Sequence, residues 1–355
     1  MESNYQNETM KRKYGQYLEK AKGFSPATLK IVRRTLAKYD EFSQNSDYKK
    51  FNIDQAIAYK KYLDDAGVSI SGKVCNLSLL QRFYKWLITQ NGYKHIDVNS
   101  IDYLQVSKKE TALNRAGTLR KFPSLDYVRK LASSIIGNTE VEMRDRALIS
   151  FTCLTGMRDN AIASLPLLAF DRNSLVIYQN PKYGVRTKFT KNIVSKVFRF
   201  DDTLLKNVLQ WYDFLQQKRF SLEHPLFPRT ATKKTSDNLS FQQSNEVEPI
   251  FWKSGAGVRC VFKDRAAAAS LPYFAPHTFR HLAITLAMDK ARSGEEVKAI
   301  SQNFGHEHIA TTMSVYGNYQ PEDLITKLRT IDERKEERSK SSEKIEQILE
   351  IIQRR

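Results

Sequence analysis

The spacing of apolar residues over the first hundred positions is that of helices. After Ser25-Pro26, apolar residues recur every three or four positions through residues 29–42. Serine and proline at that point are typical of a helix N-cap and first turn. The same period predicts helices over residues 52–63 and 71–87. No strand pattern precedes residue 105, so the sequence predicts a small all-helical N-terminal module.

Two segments beside this module lack a clear apolar pattern. Residues 1–20 are polar, and we expect them to be mobile or weakly helical. Residues 105–122 contain few apolar positions and several basic ones, which is typical of an interdomain linker that follows a charged surface. We therefore predict an N-terminal helical domain over residues 1–104, a basic linker over 105–122, and a second domain over 123–330.

The second domain shows a change of period. Strands are predicted at residues 174–178 and 194–200, on either side of a basic, turn-rich loop. An irregular polar loop is predicted at 228–248. Helices are predicted at 124–131, 141–154, 204–216, 250–263, 278–290 and 295–304, with a short helix around Tyr316. The expected fold class is mainly α, with a small antiparallel β-sheet in the second domain.

The charge balance indicates a class of partner. The chain has 57 Lys and Arg residues against 39 Asp and Glu, a formal net charge of +18. A protein this basic typically meets a polyanion, and nucleic acid is the first candidate, ahead of an anionic membrane surface. Neither a membrane-spanning run nor a signal sequence is evident, so we expect a cytoplasmic protein. Cys75, Cys153 and Cys260 are widely spaced and are expected to be buried free thiols.

Five residues in the second domain have the chemistry needed to break and rejoin a phosphodiester. Arg158 follows a Gly-containing turn, and His277 and Arg280 share one face of a predicted helix. His306 follows Phe304-Gly305, and Tyr316 lies ten residues later. Arginines stabilise charge on the non-bridging oxygens, histidines donate or transfer protons, and a tyrosine hydroxyl is a nucleophile.

These residues lie in three motifs that resemble those of the tyrosine recombinases, or phage integrases. The motifs are TGMR, HTFRH and FGHEHIATTMSVYGNY, although leucine is more common than phenylalanine before the Gly-His pair. The resemblance covers about residues 15–325. It implies that Arg158 and Arg280 bind the scissile phosphate, that His277 and His306 donate and transfer protons, and that Tyr316 is the nucleophile.

The same resemblance implies further features of the enzyme. The residue 1–104 module corresponds to a core DNA-binding domain that closes around the duplex together with the catalytic domain. A lysine on the β-hairpin protonates the leaving oxygen; Lys188 is the first candidate, followed by Lys191 and Lys182. The implied partners are double-stranded recombination sites, three further protomers in a homotetramer, and accessory DNA-bending proteins. No cofactor or metal is implied, and the enzyme would be associated with the nucleoid.

Three other interpretations fit parts of the pattern. His277 and His281 have a spacing seen in zinc sites, with His306 and His308 as further ligands, but Arg280 between them would repel a cation. A type IB topoisomerase would use the same covalent step to relax supercoils. A non-catalytic DNA-binding regulator would use the basic surfaces without chemistry.

The C-terminal tail, residues 331–355, combines a charged stretch with one apolar stripe. Ile345, Ile348, Leu349 and Ile352 share a helical face, and Ser342 is a suitable cap. A helix this short needs a surface to cover. We expect it to pack either on its own catalytic domain or on a neighbouring protomer.

Overall fold

The computed structural model describes residues 4–111, 121–234 and 241–307, together with residues 325, 328 and 329. The chain divides into two compact units, Met1–Arg120 and Lys121–Arg355. The architecture is mainly helical, with small antiparallel sheets in the second unit. This agrees with the predicted fold class.

The N-terminal unit is built from helices in the part that the structure describes. These are α1 (Tyr5–Lys20), α2 (Pro26–Phe42), α3 (Ile53–Asp65), α4 (Ile70–Leu87) and α5 (Val98–Asp102), with a 3₁₀ turn at Tyr48–Lys50. The predicted cap is present, because the side chain of Ser25 accepts a hydrogen bond from the backbone N–H of Thr28 in the first turn of α2. Asn52 caps α3 in the same way. Aromatic rings fill the core, and Phe51 stacks on Tyr84 with centroids 4.0 Å apart.

The expectation for residues 1–20 was wrong, because α1 is a full helix packed on this core. Tyr14 and Leu18 are buried on its inner face. Asn7 donates to the carbonyl of Ser46 at 2.8 Å, and Lys11 forms an ion pair with the buried Asp40 at 2.6 Å. The apolar stripe is short, so polar contacts from other parts of the unit hold much of the helix in place.

The predicted linker begins with ordered structure. Residues 108–111 are helical, and the side chain of Ser107 accepts a hydrogen bond from the N–H of Glu110. The Glu110 carboxylate accepts from Ser107 in return and lies 3.5 Å from the buried Lys73. Residues 112–120 lie outside the described part of the chain.

The second unit surrounds one buried helix. Its described helices are α6 (Leu125–Ser133), α7 (Glu140–Thr155), α8 (Asp159–Ile162), α9 (Asp202–Gln217), α10 (Ala256–Ala268), α11 (Pro276–Lys290) and α12 (Gly294–Asn303). A capping box between Thr139 and Glu142 begins α7. Nearly every residue of α7 from Arg144 onward is buried, as its apolar sequence predicts.

Two small sheets complete this unit. Strands β1 (Phe170–Asp171), β2 (Val176–Gln179) and β3 (Ile193–Lys196) form an antiparallel sheet in that order, which confirms the two predicted strands at shorter lengths. Strands β4 (Thr230–Lys234) and β5 (Phe241–Val247) pair in antiparallel fashion where an irregular loop was expected. This hairpin lacks apolar alternation, and the backbone N–H of Val247 donates to Glu140 at 2.9 Å.

The expectation that all three cysteines are buried was correct at one position. Cys153 is buried in α7, whereas Cys75 and Cys260 are exposed. Apolar neighbours in sequence do not decide burial, because on a helix they face in different directions.

Candidate active site

Arg158 is positioned by the turn that ends α7. Gly156 takes the left-handed conformation, with φ of 57°, and a Cβ atom there would lie 2.6 Å from a ring carbon of Phe304. Arg158 follows as the N-cap of α8. Burial lowers the pKa of its guanidinium, and no described residue forms a hydrogen bond or ion pair with this side chain. The site therefore holds a partly dehydrated cation.

Arg280 joins two of the sequence motifs through backbone groups. It lies on α11 and is 4% exposed. Its Nη1 donates to the carbonyl of Gly156 at 2.9 Å, and its Nη2 donates to the carbonyl of Phe304. Its guanidinium also lies over the Phe304 ring, 5.3 Å from the centroid. These two hydrogen bonds fix the orientation of the guanidinium.

A column of stacked aromatic rings connects this arginine with the sheet. Phe304 stacks on Phe198 with centroids 5.8 Å apart, and Phe198 stacks on Phe200 at 4.9 Å. The backbone N–H of Phe198 donates to the carbonyl of Leu154 near the end of α7. Phe304 thus contacts both the turn before Arg158 and the side chain of Arg280.

The histidines gather around the same arginines. The rings of His277 and His281 lie 5.1 Å apart on α11 in an edge-to-face arrangement. His306 follows Gly305, whose φ is 65° and whose place would not admit a side chain beside Ile193. The TGMR, HTFRH and FGH motifs therefore meet in the folded unit.

The electrostatic surroundings make His306 neutral. Burial, followed by the positive charges of Arg280 and Arg158 and the nearby His281 and His277, lowers the pKa of His306 to about 4. A neutral imidazole at pH 7 can accept one proton and donate another, which suits proton transfer. The positive charges of Arg280 and Arg158 add to the effect of burial on this pKa.

The candidate lysines of the β2–β3 connection differ in their positions. Lys191 and His306 line one pocket of about 390 Å³, and Lys191 pairs with Glu307 at 3.1 Å. The Lys188 ammonium lies 4.9 Å from the centroid of the Phe189 ring. Lys182 lies in a 3₁₀ turn at the beginning of the connection. Neither Lys188 nor Lys182 is among the described residues that line the His306 pocket.

Several predicted features lie outside the described residues. They include the proposed nucleophile Tyr316, His308, Tyr319 and the amphipathic stripe of residues 345–352. Among the described residues, no group of three His, Cys, Asp or Glu side chains could hold a metal ion. In the same part of the chain, no helix has the length and apolarity needed to cross a membrane.

Sequence reasoning did not identify the structural role of Phe198 and Phe304. Phe304 stood out only as an unusual residue before the Gly-His pair, and Phe198 only as part of a strand pattern. The alternation Phe198-Arg199-Phe200 places two rings on one face of an extended segment, and this was the available signal.

Comparisons with known proteins agree with this geometry. A model of the phage integrase family matches residues 125–322. Tyrosine recombinase XerC of Lactobacillus leichmannii is 23% identical over 327 residues, covering 90% of this chain and 98% of the relative. Tyrosine recombinase XerD of Rhizobium meliloti is 26% identical over 302 residues, covering 82% and 85%.

Solved structures share the fold. A lambda integrase dimer bound to a COC′ core site matches with a TM-score of 0.61 at 14% identity, covering 87% of this chain and 94% of that one. The Tn1549 transposon integrase in complex with a circular intermediate DNA matches with a TM-score of 0.61 at 13% identity, covering 91% and 99%. With a family match over more than half its length, this chain belongs to the phage integrase family and is a site-specific DNA recombinase of the tyrosine type.

Proposed function

We propose that this recombinase cleaves and rejoins double-stranded DNA through a covalent 3′-phosphotyrosyl intermediate at Tyr316, without metal or ATP. The observation that carries the proposal is the positive cluster of Arg158 and Arg280 around a neutral His306. A cluster of oriented cations and proton carriers matches the needs of a phosphorane-like transition state, in which negative charge accumulates on the non-bridging oxygens.

Each group has a role in this scheme. The hydroxyl oxygen of Tyr316 attacks phosphorus and its proton passes to His277 or His306. The bond to the 5′-oxygen breaks, and the departing 5′-oxygen takes up a proton. Arg158 and Arg280 bind the non-bridging oxygens. His277 and His306 donate hydrogen bonds and transfer protons. Attack by a 5′-hydroxyl reverses the step and restores the phosphodiester, so no external energy source is needed.

The proton for the 5′-oxygen comes from a lysine of the β2–β3 connection in this scheme. Lys188 is retained as the first candidate from the sequence, and the pocket shared by Lys191 and His306 supports Lys191 as its competitor. A substrate with sulfur in place of the bridging 5′-oxygen needs no acid. This substrate should restore cleavage to Lys188→Ala if Lys188 is the acid, and to Lys191→Ala if Lys191 is.

The proposal also covers the domains and the protomers that assemble on DNA. Residues 1–104 form the core DNA-binding domain, residues 105–122 form the linker along the DNA backbone, and residues 123–330 form the catalytic domain. Four protomers would bring two DNA sites together, with accessory DNA-bending proteins where a site requires them. The enzyme would act as a cytoplasmic, nucleoid-associated protein on the DNA of a mobile element.

The decisive experiment tests the nucleophile. The protein is incubated with duplexes that carry a random central region, and DNA that stays attached after protein denaturation is recovered and sequenced. Tyr316→Phe should lose all covalent attachment while retaining DNA binding, because only the hydroxyl is removed. Tyr319→Phe is the matched control and should form the adduct.

Two outcomes would contradict the proposal. An adduct formed by Tyr316→Phe and lost in Tyr319→Phe would move the nucleophile to Tyr319. A wild-type protein that attaches to DNA and relaxes supercoils, but never joins two sites, would instead support the topoisomerase interpretation.

A further inference from the structure

The connection between β2 and β3 presents an aromatic side chain at its tip. Phe189 is 74% exposed, although large apolar side chains are usually covered. Lys188 and Lys191 place their ammonium groups 4.9 and 5.9 Å from the centre of its ring. An exposed aromatic ring between two cations is a surface suited to a polyanion that also carries flat, stackable groups.

The backbone at this tip is strained. Phe189 and the next residue, Thr190, have φ values of 59° and 54°. This left-handed region is unfavourable for residues other than glycine, and bulky or β-branched side chains are uncommon there. Strain of this kind persists where the surrounding structure enforces it, and it is often found at functional sites.

The surrounding structure does fix both ends of the loop. Arg186 donates to the carbonyls of Trp252 and Lys253 at 2.8 and 2.5 Å. The hydroxyl of Thr187 donates to the carbonyl of Lys191 at 2.6 Å, which closes the tip into a small ring. The exposed position of Phe189 is therefore built by contacts on either side of it.

The tip also lies beside the proposed phosphate site. Lys191 is two residues from Phe189 and shares the pocket with His306. Its ion pair with Glu307 ties this side of the loop to the residue after that histidine. A DNA strand whose phosphate occupies the site would bring its neighbouring bases close to the Phe189 ring.

We propose that Phe189 inserts against a base step next to the cleaved phosphate and partly unstacks it. Apolar side chains act as wedges of this kind in DNA-bending proteins, where the larger protein surface wrapped by the bent DNA offsets the cost of unstacking. This inference rests on the proposed function, because it takes the phosphate of DNA as the ligand of the His306 site.

Fluorescence of 2-aminopurine reports unstacking directly. The Tyr316→Phe protein is used to prevent cleavage, and the duplex is one enriched by binding alone, with 2-aminopurine moved through the central base pairs. Fluorescence should rise at one or two adjacent positions when this protein binds. The Phe189→Asn variant in the same background should abolish the rise, since asparagine accepts the left-handed conformation without an aromatic ring.

Matched variants separate stacking from charge. Phe189→Trp should keep the fluorescence rise. Lys188→Gln should also keep it, but the slope of log affinity against log salt concentration should fall by about one phosphate contact. Phe189→Asn should lower affinity roughly 5- to 100-fold, the range for one lost base–aromatic stack. Its melting temperature should equal or exceed that of the parent, which separates the loss from misfolding.

Three results would overturn the wedge, and a fourth would contradict only the proposed chemistry. DNA bound with no fluorescence rise at any position, or an unchanged rise in Phe189→Asn, would exclude base contact. A change in oligomeric state with normal DNA fluorescence would assign Phe189 to a protein interface. A fluorescence rise in the Tyr316→Phe protein, together with no covalent adduct from the wild-type protein, would support the wedge and contradict only the proposed chemistry.

Discussion

Arg144 and Arg280 are both buried in the second unit, with exposed fractions of 2% and 4%, but their surroundings differ. Arg144 donates to the Asp145 carboxylate through Nε and Nη2, at 2.9 and 2.6 Å, and its guanidinium lies over the Trp252 ring. Arg265 binds the second oxygen of Asp145 at 2.7 Å. Arg280 instead donates to the carbonyls of Gly156 and Phe304, which carry no formal charge.

The difference separates a structural arginine from one suited to ligand binding. The Asp145 carboxylate occupies the donors Nε and Nη2 of Arg144 inside the protein, so they are not available to an anionic ligand. The hydrogen bonds of Arg280 to carbonyls fix its orientation while its charge still acts on the site, as the lowered pKa of His306 shows. A fixed orientation of the donor is the property that electrostatic catalysis requires.

The largest expected effect is on stability, at Arg144. Arg144→Met leaves the carbonyl of Pro228 and part of the Asp145 carboxylate without their donor. Breaking a buried ion pair from one side costs about 3–5 kcal/mol, and urea unfolding measures this cost. Arg172→Met, which breaks the exposed pair with Asp213, is the control and should cost less than about 1 kcal/mol. Equal losses of stability in the two variants would contradict the structural role assigned to Arg144.

Arg158 should give the opposite result, a loss of chemistry without a loss of stability. Arg158→Lys keeps the charge and removes the bidentate fork. Single-turnover cleavage should fall about 10²- to 10³-fold, the scale of one lost transition-state donor, with an unchanged melting temperature. Arg280→Lys should lower both quantities, since it also loses two hydrogen bonds to backbone carbonyls. Near-normal cleavage by Arg158→Lys would make Arg158 a structural residue.

Phe304 tests whether orientation of Arg280 matters by itself. Phe304→Leu keeps an apolar side chain but removes the ring beneath the guanidinium and the stack on Phe198. Cleavage should fall roughly 3- to 30-fold, from the value of a buried cation–π contact. Phe200→Leu, at the far end of the column, is the control. A similar small effect of both substitutions would show that the column only fills space.

The smallest effect concerns pH and His306. Its pKa is about 4 in the folded protein against 6.5 for the free group, so the folded state favours the neutral ring. This preference makes its full contribution to the free energy of unfolding above pH 6.5. The contribution declines as pH falls toward 4, because the unfolded chain takes up the proton first. His306→Gln should therefore lose less stability than wild type over this range in urea unfolding. A decline in His306→Gln that parallels the decline in wild type would contradict the assigned shift.

Short-range features of the fold were predictable from the sequence. Apolar spacing and the Ser25 cap predicted the helices, since these signals depend on residues within one or two turns. The resemblance of the TGMR, HTFRH and FGH motifs to those of the tyrosine recombinases implied that their arginines and histidines act at one site. The β4–β5 hairpin and the packing of α1 were missed, because both depend on polar and backbone contacts with distant parts of their units.

Only the tertiary structure decided how the site is held. The hydrogen bond from Arg280 to Gly156 joins residues 124 positions apart, and the Phe304 stack depends on where β3 ends beside α7. Folding also decided that two of the three cysteines are exposed and that Lys191 and His306 line one pocket, because both depend on the direction of each side chain. The sequence determined which residues could carry the chemistry, because residue types and motif order are local properties. Their distances, burial and pKa values were decided by folding, because these depend on contacts between segments far apart in the chain.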